Sequence, residues 1–218
     1  LKVNKLKISV KNTGAELSSI EYNGLEYLYD GDKKYWDGQS PIMFPICGRL
    51  TDKSYYFDGK RYEMDIHGIA KTAHYELFEK TESSLTFILS SNEETKKNYP
   101  FDFDFLVSYI INDNTLTVNY TVKNKGTKTM YFALGGHPAF KVPLYSSEEF
   151  TDYYLEFSVP KTAQKMAILK GKNINDPFDG KYFQTIPLTH DIFDFDDMFF
   201  YDTAKSVSLK SKNHDKSV

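Results

Sequence analysis

The sequence predicts an all-β protein, a large antiparallel β-sandwich or barrel-like architecture, and three observations carry that expectation. About a dozen short runs alternate apolar with polar residues or are rich in β-branched and aromatic side chains, the period of a half-buried strand. Asn-Gly, Asp-Gly and Asn-rich turn signals separate them at short intervals. Sustained amphipathic helix periodicity is missing, and no linker, low-complexity tract or short repeat interrupts the chain. A single domain over residues 1–218 is expected.

In order, Leu6, Ile8 and Val10 alternate with polar residues before a turn at Asn12-Thr13-Gly14. Leu17–Ile20 and Leu25–Tyr29 flank Asn23-Gly24, the strongest short hairpin signal, and Asp58-Gly59 plays the same part between Tyr55–Phe57 and Arg61–Met64. Tyr75–Phe78 and Leu85–Leu89 form the next pair, and the polar run Ser90–Lys97 has room for one short helical turn but reads first as a loop. Phe103–Ile111, Leu116–Val122 and Lys128–Leu134 predict a meander of three long strands, joined at Asn112-Asp113-Asn114 and Asn124-Lys125-Gly126. Tyr153–Phe157, Lys165–Leu169, Tyr182–Leu188, Met198–Tyr201 and Ser206–Lys210 follow. The sequence opens on Leu1 and stops at Ser217-Val218, where a strand returning from Asn213-His214-Asp215 should begin, so a trimmed chain is expected.

Composition narrows the function. The net charge of -3 has no basic excess, so nucleic acid is not an expected partner. Aromatics make up 16% of residues, with 17 Tyr and 17 Phe, enough to line a cleft as well as fill a core. One cysteine, Cys47, excludes an intramolecular disulfide and a zinc site built on cysteines. No apolar run approaches the length that spans a bilayer and no signal-peptide pattern opens the sequence, so no membrane partner and a cytoplasmic location are expected.

Three stretches and one glycine pair carry candidate chemistry. The run into Leu134-Gly135-Gly136-His137-Pro138-Ala139-Phe140 stops at two glycines, which permit a sharp turn or a close approach. Pro138 restrains His137, which is read either as a proton-transfer group or as a buried structural histidine beside the turn. In Pro45-Ile46-Cys47-Gly48-Arg49-Leu50, Arg49 must be ion-paired or face a cleft, where its planar fork suits hydroxyl or carboxylate recognition; Cys47 reads as a small buried hydrophobe. His67 precedes a glycine in Asp65-Ile66-His67-Gly68-Ile69-Ala70. His67 with His137 lacks a third ligand at a recognisable spacing, so metal binding is not expected. Phe193-Asp194-Phe195-Asp196-Asp197-Met198 mixes acids with aromatics, as a sugar site does, with Asp194 read as solvent-facing. His74, His190 and His214 read as surface residues.

Together these stretches resemble the aldose 1-epimerase (galactose mutarotase) family, in particular its bacterial mutarotase-like branch. The likeness runs through Gly14-Ala15-Glu16-Leu17, Pro41–Leu50, His67-Gly68-Ile69-Ala70, Tyr99-Pro100-Phe101-Asp102-Phe103 and Gly135–Phe140 in the family's order. The resemblance implies a galactose mutarotase-like β-sandwich whose concave face binds an aldohexose such as galactose or glucose. It implies interconversion of the α and β anomers by acid/base ring opening and reclosure, without a cofactor. On that resemblance His137 matches the general acid, His67 the second histidine near the ring oxygen, and Arg49 the arginine that binds sugar hydroxyls. The substrate-binding aspartate falls at Asp197 or Asp196. The family's general base, a glutamate near the C-terminal end of a longer chain, has no match here, and Glu148, Glu149 and Glu156 lie in the wrong context to replace it. Two alternatives stay open: a non-catalytic carbohydrate-binding protein on the same scaffold, and a hexose-phosphate epimerase using Lys33, Lys34 or Arg61.

Overall fold

A computed structural model describes residues 1–165, 167–169, 172–174, 182–192, 198–200 and 204–218. They fall into two compact units, Leu1–Lys141 and Val142–Val218, and almost all regular structure is antiparallel strand.

In the first unit, β1 (Lys2–Val3), β2 (Leu6–Val10), β3 (Leu17–Tyr22) and β4 (Leu25–Glu26) form one sheet in sequence order. The Asn23-Gly24 hairpin is confirmed, with both residues at positive φ, 53° and 82°. A short pairing segment, β5 (Ile42–Met43), precedes the hairpin of β6 (Ser54–Phe57) and β7 (Lys60–Glu63). Asp58-Gly59 makes that turn, at φ 48° and 74°. The second large sheet is β8 (Glu76–Lys80), β9 (Ser84–Ser90), β10 (Phe103–Asn112) and β11 (Thr115–Asn124), each paired with its sequence neighbour.

Alternation explains how the two sheets meet. Leu6, Ile8 and Leu17 from the first sheet share one core with Leu85, Phe87 and Leu89 of β9 and with Phe103, Phe105, Val107, Tyr109 and Ile111 of β10. Leu116, Val118, Tyr120 and Val122 add one face of β11, while its alternate residues are exposed. The Tyr109 hydroxyl donates to the Ala15 carbonyl at 2.5 Å across this core. Tyr75 is fully buried, yet its hydroxyl has no hydrogen-bond partner among the described residues. An unmade buried bond costs more than the polar atom returns. Tyr75→Phe is therefore expected to raise stability by about 1 kcal/mol, a Tm gain of roughly 2–4 °C by calorimetry. A lowered Tm would mean that the hydroxyl has a partner in solution.

Two expectations need correction here. The polar run after β9 is no loop: Glu93–Asn98 forms helix α1. Asn92 accepts hydrogen bonds from the Glu94 and Thr95 amides at 2.9 and 3.0 Å, and the Thr95 hydroxyl accepts from the Asn92 amide at 2.8 Å. This reciprocal cap, with acids in the first turn and lysines in the last, makes so short a helix possible. The other correction concerns Lys128–Leu134, which forms no strand. Its alternation is genuine, but among the described residues its ladder-like pairing is limited to Ala133 N–H donating to the Pro45 carbonyl at 2.8 Å. The pairing segment begins where a turn was expected, as β12 (Gly135–Gly136).

The second unit is organised on β13 (Tyr153–Lys165). β14 (Ala167–Leu169) and β15 (Lys172–Ile174) form a separate hairpin, while β16 (Tyr182–Pro187), β17 (Met198–Phe200) and β18 (Val207–Ser211) all pair with β13. Leu209 exchanges two backbone hydrogen bonds with Val218, at 2.7 and 3.1 Å, so the return from Asn213-His214-Asp215 begins as expected. His214 is not a surface residue: its side chain is 15% exposed and its Nε2 lies 3.3 Å from buried Glu148. Tyr153 and Ser211 also donate to that carboxylate. Burial opposes its charge, but these bonds and the neighbouring His214 outweigh it and hold the Glu148 pKa below its usual value.

Candidate active site

The geometry is set by β5. One edge of the segment pairs antiparallel with β12, Met43 opposite Gly135 and Ile42 opposite Gly136. The register continues beyond the named strand: the His137 amide donates to the Pro41 carbonyl at 3.0 Å and the Ala139 amide to the Gln39 carbonyl at 2.8 Å. The far side of the His137 segment is tied as well, by Tyr29 N–H to the Ala139 carbonyl and Lys141 N–H to the Tyr27 carbonyl, each 2.8 Å. His137 thus sits in the middle of a three-stranded arrangement, with Pro138 stiffening the chain behind it.

Gly135 and Gly136 serve close approach rather than a turn. Neither has a positive φ. A Cβ on Gly135 would lie 2.6 Å from Met43 Cε, and one on Gly136 would lie 2.8 Å from the Tyr120 hydroxyl. The bare backbone lets this segment lie against the side chains beneath it.

The other edge of β5 carries the second histidine. Phe44 bridges to Gly68 in the parallel sense, its amide donating to the His67 carbonyl at 3.2 Å and its carbonyl accepting from the Ile69 and Ala70 amides at 2.9 and 3.1 Å. His67 itself has φ 63°, and Gly68 φ 77°. The His67 side chain is held too: Gly48 N–H donates to Nδ1 at 3.0 Å while the His67 amide donates back to the Gly48 carbonyl at 2.9 Å. Nδ1 is therefore an acceptor, which leaves the ring proton of neutral His67 on Nε2.

Two segments far apart in sequence, carried on opposite edges of β5, so bring His67 and His137 together. Their ring centroids are 5.7 Å apart with the planes at 59°. His137 is exposed and His67 half-buried, which removes the reading of His137 as a buried structural histidine. Arg49 follows the glycine that grips His67. It is exposed and forms no ion pair among the described residues, so it is not a structural ion-pair partner. Its nearest electrostatic effect is on Asp65, whose carboxyl is held below its usual range chiefly by the Ile66 N–H, then by Lys71, with smaller pulls from Lys53 and Arg49.

Cys47 is exposed, contrary to expectation, because the chain leaves the buried run through a turn at Gly48, φ 84°. Asp194, Asp196 and Asp197 lie outside the described residues. Glu148 is bound to internal partners, and Glu156 pairs with Lys210 at 2.5 Å. His74 and His190 are exposed as expected, His190 stacking on Phe150 at 5.5 Å. Arg61 pairs with Glu63 at 3.1 Å. No cluster of His, Cys, Asp or Glu suited to a metal ion occurs among the described residues, and none of their helices is long and apolar enough to cross a membrane.

The sequence reading passed over Trp36, the only tryptophan of the sequence. Its ring centroid lies 5.1 Å from that of His137, at an interplanar angle of 45°. The signal available was that single tryptophan in a polar loop ending at Pro41, directly before the motif that contains Arg49.

Comparison with known proteins bears on the family and the fold. The family model for aldose 1-epimerase matches residues 1–214. The plasmid-encoded protein LacX of Lactococcus lactis subsp. lactis is 33% identical over 232 residues, covering the whole of this chain and 77% of its own. Two solved structures are similar over the whole chain. One is a galactose mutarotase related enzyme from Lactobacillus acidophilus, with a TM-score of 0.90, 30% identity and 74% of that chain covered. The other is a galactose mutarotase-like protein from Lactobacillus casei ATCC 334, with a TM-score of 0.89, 33% identity and 76% covered. With its antiparallel strands in the galactose mutarotase-like fold and a family match over nearly its full length, the chain belongs to the aldose 1-epimerase family, a family of carbohydrate epimerases.

Proposed function

We propose that this protein interconverts the α and β anomers of an aldohexose, galactose or glucose, by opening and reclosing the pyranose ring. The observation that carries the reading is the convergence of His67 with the exposed His137, with the exposed Arg49 next in sequence to Gly48, whose N–H holds the His67 ring. In ring opening, a base takes the proton from the C1 hydroxyl, the bond from C1 to the ring oxygen breaks, and an acid protonates that oxygen. The aldehyde then rotates about C1–C2 and the reverse steps close the other anomer.

His137 is the acid in this scheme, since it combines an exposed ring with a backbone held on both sides. His67, with its proton directed to Nε2, suits donation of a hydrogen bond near the ring oxygen and support of the charge that develops there. Arg49 binds sugar hydroxyls through its fork. Asp197, with Asp196 beside it, is the proposed carboxylate for further hydroxyls. The base is a carboxylate other than Glu148, which is buried against Tyr153, Ser211 and His214, and Glu156, which pairs with Lys210.

Polarimetry of freshly dissolved α-D-galactose and α-D-glucose tests the reading. The full-length protein is expected to shorten the approach to equilibrium rotation in proportion to its concentration. Saturable sugar binding by calorimetry with no acceleration would replace the enzyme by a carbohydrate-binding protein. Absence of both would remove the sugar altogether.

A further inference from the structure

We propose that Trp36 is the apolar platform of the sugar site, its indole face receiving the C–H face of the pyranose next to His137 and its N–H donating to a sugar hydroxyl. The inference rests on the reading of this face as a sugar site, and it assigns a binding residue there from three independent features of the loop.

The first is how the indole is seated. A Cβ on Gly38 would fall 2.4 Å from Trp36 Cζ2 and 2.7 Å from Cε2, so the six-membered ring lies directly on backbone that only glycine leaves bare. Trp36 is half-buried, and the imidazole of His137 lies against it. The second is its hydrogen bonding. The indole N–H makes no hydrogen bond among the described residues and is not sealed in the core, so on this half-buried ring it is open to an acceptor from outside the chain. Near a polyol it is a ready donor.

The third is rigidity, and its source is a half-buried carboxylate. Glu16 Oε1 accepts from the Gln39 and Ser40 amides at 2.9 and 3.0 Å, and Lys11 pairs with Glu16 at 3.1 Å. Burial works against this charge, but the two amides and Lys11 outweigh it, and the Glu16 pKa stays below its usual value. The Gln39 side-chain amide donates to the Ser18 and Tyr29 carbonyls at 3.1 and 2.9 Å. The end of the Trp36 loop is therefore locked to β3 and to the segment before it. That locked end, Gln39 to Pro41, also supplies the carbonyls that receive the Ala139 and His137 amides. Trp36 and His137 are held in register by one piece of backbone. An aromatic ring fixed beside the acid would orient the sugar, and a fixed platform binds without an ordering penalty.

The test uses the full-length protein with galactose and glucose. Trp36→Ala is expected to raise KM, or the calorimetric Kd, at least tenfold while changing kcat less than threefold. Trp36→Phe keeps a ring face without the donor and is expected to recover most of the affinity. Sugar should also change the fluorescence difference between the protein and its Trp36→Phe variant, saturably and at concentrations matching KM. An active parent whose KM is unmoved by Trp36→Ala overturns the platform. Should that variant fail to fold by circular dichroism, the fluorescence difference decides, and no response at saturating sugar overturns it equally. A parent that binds sugar without turning it over ends the epimerase reading alone, and the Kd of Trp36→Ala then judges the platform. A parent that neither binds nor turns over sugar ends both.

Discussion

Replacement of His137 by Asn is expected to abolish most anomer exchange while leaving the fold intact. General acid catalysis by a positioned side chain contributes about 10²–10⁴-fold, and Asn keeps a polar group of similar reach that cannot donate a proton at neutral pH. The fold should survive because the imidazole is exposed and its ring contacts are Trp36 and His67. The bonds that fix this segment come from the backbone, through the His137 and Ala139 amides, and do not involve the replaced ring. Stability is accordingly expected to move by no more than about 0.5 kcal/mol. Polarimetry and a thermal melt read both halves of the expectation. Turnover equal to the parent's would remove His137 from the role of acid.

Gly68→Ala should have the largest effect on stability, and for a reason unrelated to proton transfer. At φ 77° the backbone is in the left-handed region, which costs an L side chain about 1–2 kcal/mol. The added Cβ would also lie 2.3 Å from the Phe44 carbonyl oxygen, 2.6 Å from its carbon and 2.7 Å from the Pro45 nitrogen. All three are backbone atoms of the segment that carries the site, so no side chain can swing away to relieve the clash. The struck oxygen is the one that accepts both the Ile69 and Ala70 amides. A total loss of about 3 kcal/mol or more is expected, which lowers Tm by roughly 6–12 °C. Activity should fall as well, because the His67 loop is lifted from the edge of β5 opposite His137. A melting temperature within a degree of the parent's would contradict the close approach of Gly68 to Phe44.

Elements whose cause is local were legible in the sequence. Asn23-Gly24 and Asp58-Gly59 need positive φ at both positions, a preference written in those residues, and both hairpins formed as expected. β10 and β11 combine long alternation with a short Asn-rich turn and pair residue for residue from Phe103 to Asn112. Lys128–Leu134 has a comparable pattern and forms no strand. Alternation states that one face prefers burial, but a strand also needs a partner for its backbone. The cap of α1 is equally local, an Asn three residues before a Thr, but so short a helix has no periodicity to rank it above a loop.

His67, His137 and Arg49 stood out as residue types next to glycines, and the resemblance supplied their expected roles. Their meeting is tertiary. The rings come within 5.7 Å because His67 and His137 ride on opposite edges of one short segment, a relation absent from either local sequence. Cys47 and His214 were misjudged for the same reason: exposure depends on what the rest of the chain lays over a residue, and Glu148 and Tyr153 draw His214 inward from far along the sequence. The sequence by itself determined the all-β class, the turn positions and the residues able to do chemistry, since backbone preference and side-chain period act within a few residues. Only the tertiary structure decided that Gly135 and Gly136 pair rather than turn and that Trp36 rests against His137. Those outcomes depend on which distant backbones approach, and steric fit between them is settled only once the sheets have closed.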